Sequence, residues 1–180
     1  MRVIAGTAGG LTLVAPRGRA TRPITDRVKE TLFAILGERV PGARVLDLYA
    51  GSGAVGIEAL SRGAAHATFV ERGRDALAAL RTNLERTGLA AMATVVSTDV
   101  ERFLASADGG PWDLVVLDPP YAERAIVTPL HDLAPHLAPG AAVVVKHHWR
   151  SEVPELADLS TSRQRRFGET MLTFMEATNR

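Results

Sequence analysis

The sequence predicts an α/β fold: a mostly parallel seven-stranded sheet with helices on both faces, preceded by a small N-terminal β-hairpin. Three observations predict it. Short, continuously apolar runs alternate with helical patterns between Arg44 and Val145, as expected for parallel strands buried on both faces. The first run passes through a glycine-rich turn straight into a helix, the join typical of such sheets. After Ser151 the rhythm stops, and two candidate strands flank Gly168-Glu169 as an antiparallel hairpin that closes the sheet.

Each element has a local reason. Val3–Ala5 and Leu11–Val14 are apolar runs separated by Gly6-Thr7-Ala8-Gly9-Gly10, which reads as a hairpin. Ala15–Ile24 holds two prolines and three arginines and reads as an exposed loop. Thr25 or Asp26 caps a helix over Arg27–Gly37, with Val28, Leu32, Ile35 and Leu36 on one face. Arg44–Tyr49 is a strand with a carboxylate, Asp47, at its centre, followed by a helix over Ala54–Ser61. Strands at Ala67–Val70, Met92–Val96, Trp112–Leu117 and Ala141–Val145 alternate with helices at Arg74–Thr87, Val100–Ala107 and Ile126–Leu137. Leu159–Phe167 and Thr170–Glu176 form the closing hairpin. Residues 1–24 are expected to be a hairpin and basic loop, and residues 25–180 the α/β domain.

Composition narrows the function. The 180 residues are 46% hydrophobic and 23% charged, values of a folded globular chain of one-domain size. With no cysteine, a disulfide scaffold, a zinc ribbon, an iron–sulfur cluster and thiol catalysis are excluded together. The longest charge-free stretch, Val3–Pro16, is glycine-rich and shorter than the ~18 residues a bilayer span requires. The first residues lack the basic-then-apolar order of a secretion signal, so a cytoplasmic protein with no membrane partner is expected. The net charge is only +1, but Arg2, Arg17, Arg19, Arg22, Arg27 and Lys29 face just Asp26 and Glu30 within residues 1–30. That segment reads either as an arm for an anionic partner or as a solvated loop.

Gly51-Ser52-Gly53-Ala54-Val55-Gly56 is a G-x-G-x-x-G turn between a strand and a helix. Alone it shows little more than a tight turn. Glu71 ends the next strand, where an acid accepts from ribose hydroxyls. Asp47 lies within an apolar strand and needs a cationic or hydrogen-bonding partner. A dinucleotide would place its diphosphate here and has no need of that acid. S-adenosylmethionine (SAM) carries an ammonium and a sulfonium, which suit it. A buried structural network is the alternative. Asp99, at the end of the third strand, is placed either to accept from an adenine amino group or to cap the helix at Val100.

Asp118-Pro119-Pro120-Tyr121 follows the fourth strand and borders the same crevice. The prolines hold the backbone extended, so Asp118 and the Pro119 carbonyl present acceptors to an amino group, while Tyr121 offers a ring for stacking. Lys146-His147-His148-Trp149 matches no pattern. Its adjacent histidines point to opposite faces of a strand and have no neighbouring carboxylate, so they read as surface histidines and no metal is expected.

Taken together, these residues resemble the RsmD family, bacterial small-subunit ribosomal RNA guanine-N2 methyltransferases with a Rossmann-like class I methyltransferase fold. The resemblance runs through Arg2–Gly6, Arg22–Glu30, Val45–Gly53, Gly56–Ala64, Asp118–Tyr121 and Arg166–Thr170, nearly end to end. The chain departs from it at Ala8-Gly9-Gly10-Leu11, where the family carries basic residues. The resemblance implies methyl transfer from SAM to the N2 amino group of guanine 966 in 16S ribosomal RNA, free or within an assembling small subunit, by a monomer. It implies a cofactor site formed by Asp47, Tyr49, Ala50, Gly51, Ser52, Gly53, Glu71, Arg72, Asp99 and Val100. Asp118, Pro119, Pro120 and Tyr121 would be catalytic, and Arg2, Arg17, Arg19, Arg22, Arg27 and Lys29 would bind RNA. DNA amino or cytosine methylation on the same scaffold remains open. An NAD-dependent oxidoreductase would explain the glycine loop and Glu71 but not Asp118–Tyr121.

Overall fold

The computed structural model describes residues 1–16, 24–106, 109–119 and 124–178. Among these, seven strands form one sheet, accompanied by five α-helices. After an irregular N-terminal strap come α1 (Asp26–Leu36), β1 (Arg44–Leu48), α2 (Ala54–Ser61), β2 (His66–Glu71) and α3 (Arg74–Thr87). Then follow β3 (Ala93–Ser97), α4 (Val100–Ala105), β4 (Trp112–Leu117), α5 (Arg124–Leu133), β5 (Leu137–His148), β6 (Leu159–Phe167) and β7 (Thr170–Ala177). The strand order is β3-β2-β1-β4-β5-β7-β6. β1 to β5 run parallel, and β7 is antiparallel to both β5 and β6.

The apolar strands follow from burial on both faces. One face packs against α1, α2 and α3 through residues such as Leu32, Ile57, Phe69 and Leu80. The other packs against α4 and α5 through Leu104, Leu117, Ile126 and Leu130. The order reverses between β1 and β4, whose neighbours lead away in opposite directions. Loops leaving those two strands at their carboxyl ends therefore diverge and leave a crevice.

β5 begins earlier than the expected Ala141. Trp112 pairs with Leu137 before the register shifts, so Pro139-Gly140, a turn signal in sequence, becomes an irregularity inside the strand. Where an N-terminal hairpin was expected, the segment turns back on itself as a short strap with one antiparallel bridge, Arg2 to Thr12. Val3 donates to the Leu11 carbonyl at 2.9 Å and Leu13 to the Met1 carbonyl at 3.0 Å across that bridge, while other N–H groups of the segment go to side chains of the helices beneath. Ile4 and Ala5 donate to Glu58 of α2 at 2.7 and 3.0 Å, and Ala8 donates to Ser61 Oγ at 2.9 Å. Gly6, at φ +84°, passes so close to Ser61 that a Cβ would lie 1.7 Å from its carbonyl oxygen. Asn83 of α3 accepts from the Val14 N–H at 2.7 Å and donates to the Val14 carbonyl at 3.0 Å. Val3, Ala8 and Leu13 are buried in the same core as α1 to α3.

No helix among the described residues is long and apolar enough to cross a membrane.

Candidate active site

The crevice is built by the ends of β1, β2 and β4. Beyond β1 the chain turns through Tyr49 (φ +60°), Gly51 (φ +57°) and Gly53 (φ +78°). Only glycine adopts such angles at little cost, so Tyr49 is the strained position of the loop. Its hydroxyl bonds Glu101, and burial with that carboxylate raises its pKa. Ala50 donates to the Val70 carbonyl at 3.0 Å, which fastens the loop to β2.

Glu71 organises the loop. One carboxylate oxygen accepts from the Gly51 N–H at 2.8 Å; the other accepts from Arg72 and Gly73 at 2.8 and 2.7 Å. A carboxylate offers about four lone-pair positions. These three bonds aim the group and leave acceptor capacity at the end of β2, where ribose hydroxyls were expected. Gly53 and Gly56 answer to packing. A Cβ on Gly53 would lie 2.2 Å from Leu80 Cδ1, and one on Gly56 would lie 2.3 Å from Phe69 Cε1. Their smallness admits the core, whereas Gly51 has open space and meets the crevice.

Asp47 is 2% exposed and accepts from the Gly56 N–H at 2.9 Å. Burial pushes its carboxyl up to about 8 against that hydrogen bond, with Asp118 and Glu71 adding to the rise. Its neighbours are therefore acids, and a ligand cation would relieve the site. Ser52 is buried with its Oγ 3.8 Å from the Met1 sulfur, so the strap touches the glycine loop. Asp99 precedes α4 at the capping position, but its side chain makes no cap bond. It pairs with Arg72 at 2.7 Å on the surface. Val100 is buried in the α4–α5 core.

Asp118 and Pro119 follow β4, and the Asp118 N–H reaches back to the Leu48 carbonyl at 3.3 Å, tying the ends of β4 and β1 together. Pro120 and Tyr121 lie outside the described residues. Asp118 meets a residue that the sequence reading left without a role: Lys146 Nζ lies 2.6 Å from its Oδ1. The available signal was a lysine ending an apolar strand that neighbours β4. Which strands are neighbours is a property of the sheet order and is not written in the local pattern. Burial raises the Asp118 carboxyl, and the Lys146 ammonium opposes that rise.

Two expectations are corrected. Lys29 was expected to contact RNA, but its side chain is 0% exposed, 3.0 Å from Glu58 Oε2 and hydrogen-bonded to the Arg2 carbonyl. Glu58 also holds Arg62 at 2.8 Å, so Lys29 belongs to a buried ion cluster under the strap. His147 was expected at the surface. It is buried between the His148 carbonyl and Thr173 Oγ1, both at 2.8 Å, and burial lowers its pKa. Among the described residues no cluster of ligating side chains suits a metal. Of the other basic residues assigned to RNA, Arg2 is exposed beside Asp26 at 3.3 Å and Arg27 is exposed on α1. Arg17, Arg19 and Arg22 lie outside the described residues. A second basic surface stands past the end of β5, where Arg150 and Arg166 cover Trp149 at 4.9 and 4.0 Å from its ring centre.

The family model described as conserved hypothetical protein 95 matches residues 1–176. The candidate rRNA methyltransferase YlbH of Bacillus subtilis (strain 168) is 41% identical over 176 residues, covering 94% of this chain and 95% of that protein. Ribosomal RNA small subunit methyltransferase D of Escherichia coli (strain K12) is 37% identical over 172 residues, covering 94% and 86%. Among solved structures, the Escherichia coli candidate methyltransferase yhhF superposes with a TM-score of 0.89 at 34% identity, covering 100% of this chain and 99% of that one.

Proposed function

The chain belongs to the family described as conserved hypothetical protein 95, together with the small-subunit ribosomal RNA methyltransferases D, and from that membership we propose that it methylates the N2 amino group of a guanine in 16S ribosomal RNA. It is a SAM-dependent RNA methyltransferase of the Rossmann-like class I fold. The observation that carries the choice of acceptor is the placement of Asp118 and Pro119 beyond β4, directly across the β1–β4 crevice from the Gly51 loop and Glu71.

SAM supplies an electrophilic methyl group on a sulfonium, and the residues present fit it. Asp47 gives the crevice a buried acid whose charged neighbours Asp118 and Glu71 are also acids, suited to a ligand's positive charge. Glu71 offers an aimed acceptor for ribose. The guanine amino group is a weak nucleophile because its lone pair is delocalised into the ring. Asp118 and the Pro119 carbonyl, both acceptors, would take its two hydrogens and fix the nitrogen toward the methyl carbon. Positioning of this kind contributes up to ~7–11 kcal/mol. Bound SAM would supply the methyl group, its carbon–sulfur electron pair returning to sulfur as the nitrogen–carbon bond forms, and Asp118 or water would receive the proton the amine loses. Tyr121 would stack on a base withdrawn from its neighbours. Arg2, Arg17, Arg19, Arg22 and Arg27 would contact phosphates, with residues 1–24 as the RNA-facing segment.

The substrate is then free 16S RNA or an assembling subunit, the enzyme acts as a monomer, and the reaction is cytoplasmic. The test is transfer of labelled methyl from SAM to deproteinised 16S RNA, to 30S particles and to DNA, followed by nucleoside analysis. N2-methylguanosine from an RNA substrate is the expected product. Label in DNA adenine or cytosine alone would overturn the assignment.

A further inference from the structure

Lys146 stands where β5 leaves the core. Val143, Val144 and Val145 before it are fully buried, and Val145 pairs with Leu117, the last residue of β4. Parallel register therefore sets Lys146 alongside Asp118, and its Nζ lies 2.6 Å from Asp118 Oδ1. The lysine side chain is 10% exposed and the aspartate side chain 29%, so the carboxylate faces the crevice while the ammonium sits behind it. Burying an ammonium is costly, and an apolar residue at such a position usually serves stability as well or better. The ion pair is therefore explained by what it does to the exposed partner.

We propose that Lys146 is a positioning residue for methyl transfer: it takes one oxygen of Asp118, fixes the plane of the carboxylate, and leaves the second oxygen to accept from the target amino group. The inference rests on the methyl-transfer reading of Asp118. Among the described residues, the charged groups around Asp118 are Lys146 from β5 and Asp47 from β1, with Glu71 from β2 beyond Asp47. Lys146 is the cation in this set, and it opposes the burial that favours a protonated Asp118. A protonated carboxyl is a donor at one oxygen and competes poorly for an amine hydrogen.

The test compares Lys146→Met and Lys146→Arg with wild type in methyl transfer across pH 5.5–9, alongside SAM affinity and thermal melting. For Lys146→Met the expected result is at least tenfold lower turnover at pH 7, recovering as pH rises, with the acid limb displaced upward by about a unit or more. SAM affinity should stay within a few-fold, and Lys146→Arg should restore most of the profile. An undisplaced limb, with activity merely tracking the folded fraction, would overturn the proposal. Should Lys146→Met not fold, Lys146→Gln carries the same expectations. A readout independent of turnover is the carbon-13 titration of the Asp118 carboxyl, assigned by its loss in Asp118→Asn. It should move to higher pH in the lysine variant, and an identical titration in both proteins overturns the inference. Wild type that transfers no methyl group sinks the methyl-transfer reading instead, while the titration still decides what Lys146 does to Asp118.

Discussion

At the residue scale, the acids of the crevice differ in what holds them, and their variants should differ accordingly. Glu71 accepts three backbone N–H bonds, so Glu71→Ala removes a ribose acceptor and also releases Gly51. Hydrogen bonds to charged groups contribute roughly 1.5–3 kcal/mol, so SAM affinity should fall about tenfold or more in calorimetry. Asp118 is better probed by Asn than by Ala, since Ala strands Lys146 without its partner. Asp118→Asn should cut methyl transfer at least a hundredfold with SAM affinity within a few-fold; near-normal turnover would move the chemistry elsewhere. Asp47 gives a pH signature. Its folded value of about 8 lies above the ordinary 3.8, so the folded protein keeps a proton that the unfolded chain has lost. Its contribution to stability is full below pH ~4 and is lost as pH rises toward ~8. A ligand cation favours the ionised form, so SAM binding at pH 7 should release a proton and tighten up to pH ~8. Titrations in buffers of different ionisation enthalpy measure that proton; heats independent of buffer would place the cation away from Asp47.

At the scale of elements, the N-terminal strap is part of the fold. It covers the Lys29–Glu58–Arg62 cluster and buries Val3, Ala8 and Leu13 against α1, α2 and α3. Burial of each larger apolar side chain contributes ~1.5–3 kcal/mol, and the Ile4 and Ala5 N–H bonds to the Glu58 carboxylate add roughly 1.5–3 kcal/mol each. Deleting residues 1–14 should therefore lower the melting temperature by ~10 °C or more, since 1 kcal/mol moves a chain of this size by ~2–4 °C. It should also weaken SAM binding, because Asn83 bridges Val14 to the Ser52 carbonyl in the glycine loop. A deletion variant that melts like wild type would make the strap a true appendage.

For the whole molecule, charge distribution matters more than the total of +1. Two groups of arginines bear on the crevice: Arg2 and Arg27 near the strap, and Arg150 and Arg166 stacked on Trp149 just past the end of β5. An RNA reaching Asp118 from the β5 side would pass the second. Arg150→Ala with Arg166→Ala should leave SAM affinity unchanged and lower the salt slope of RNA binding by roughly one to two, at ~0.7 per phosphate contact. An unchanged slope would leave RNA contact to the N-terminal side.

The sequence by itself determined the alternation of strands and helices, the turn at Gly51–Gly53, the carboxylates at the ends of β2 and β4, and the closing hairpin. These are local properties: apolar periodicity, glycine at left-handed angles, an acid where a strand stops. Tertiary structure decided which of those residues serve each other. Lys29 looks like a phosphate ligand in a basic run, yet α1 turns it inward onto Glu58. Lys146 belongs to no motif, yet the β4–β5 pairing brings it to Asp118 across 28 residues of chain. Gly53 belongs to a glycine turn that is plain in the sequence, yet the Leu80 side chain that packs against it is fixed by α3. The physical reason is common to all three. A side chain's charge and size are written in the sequence, but its partner is chosen by the order of strands and the face a helix buries, and both follow from packing the whole chain.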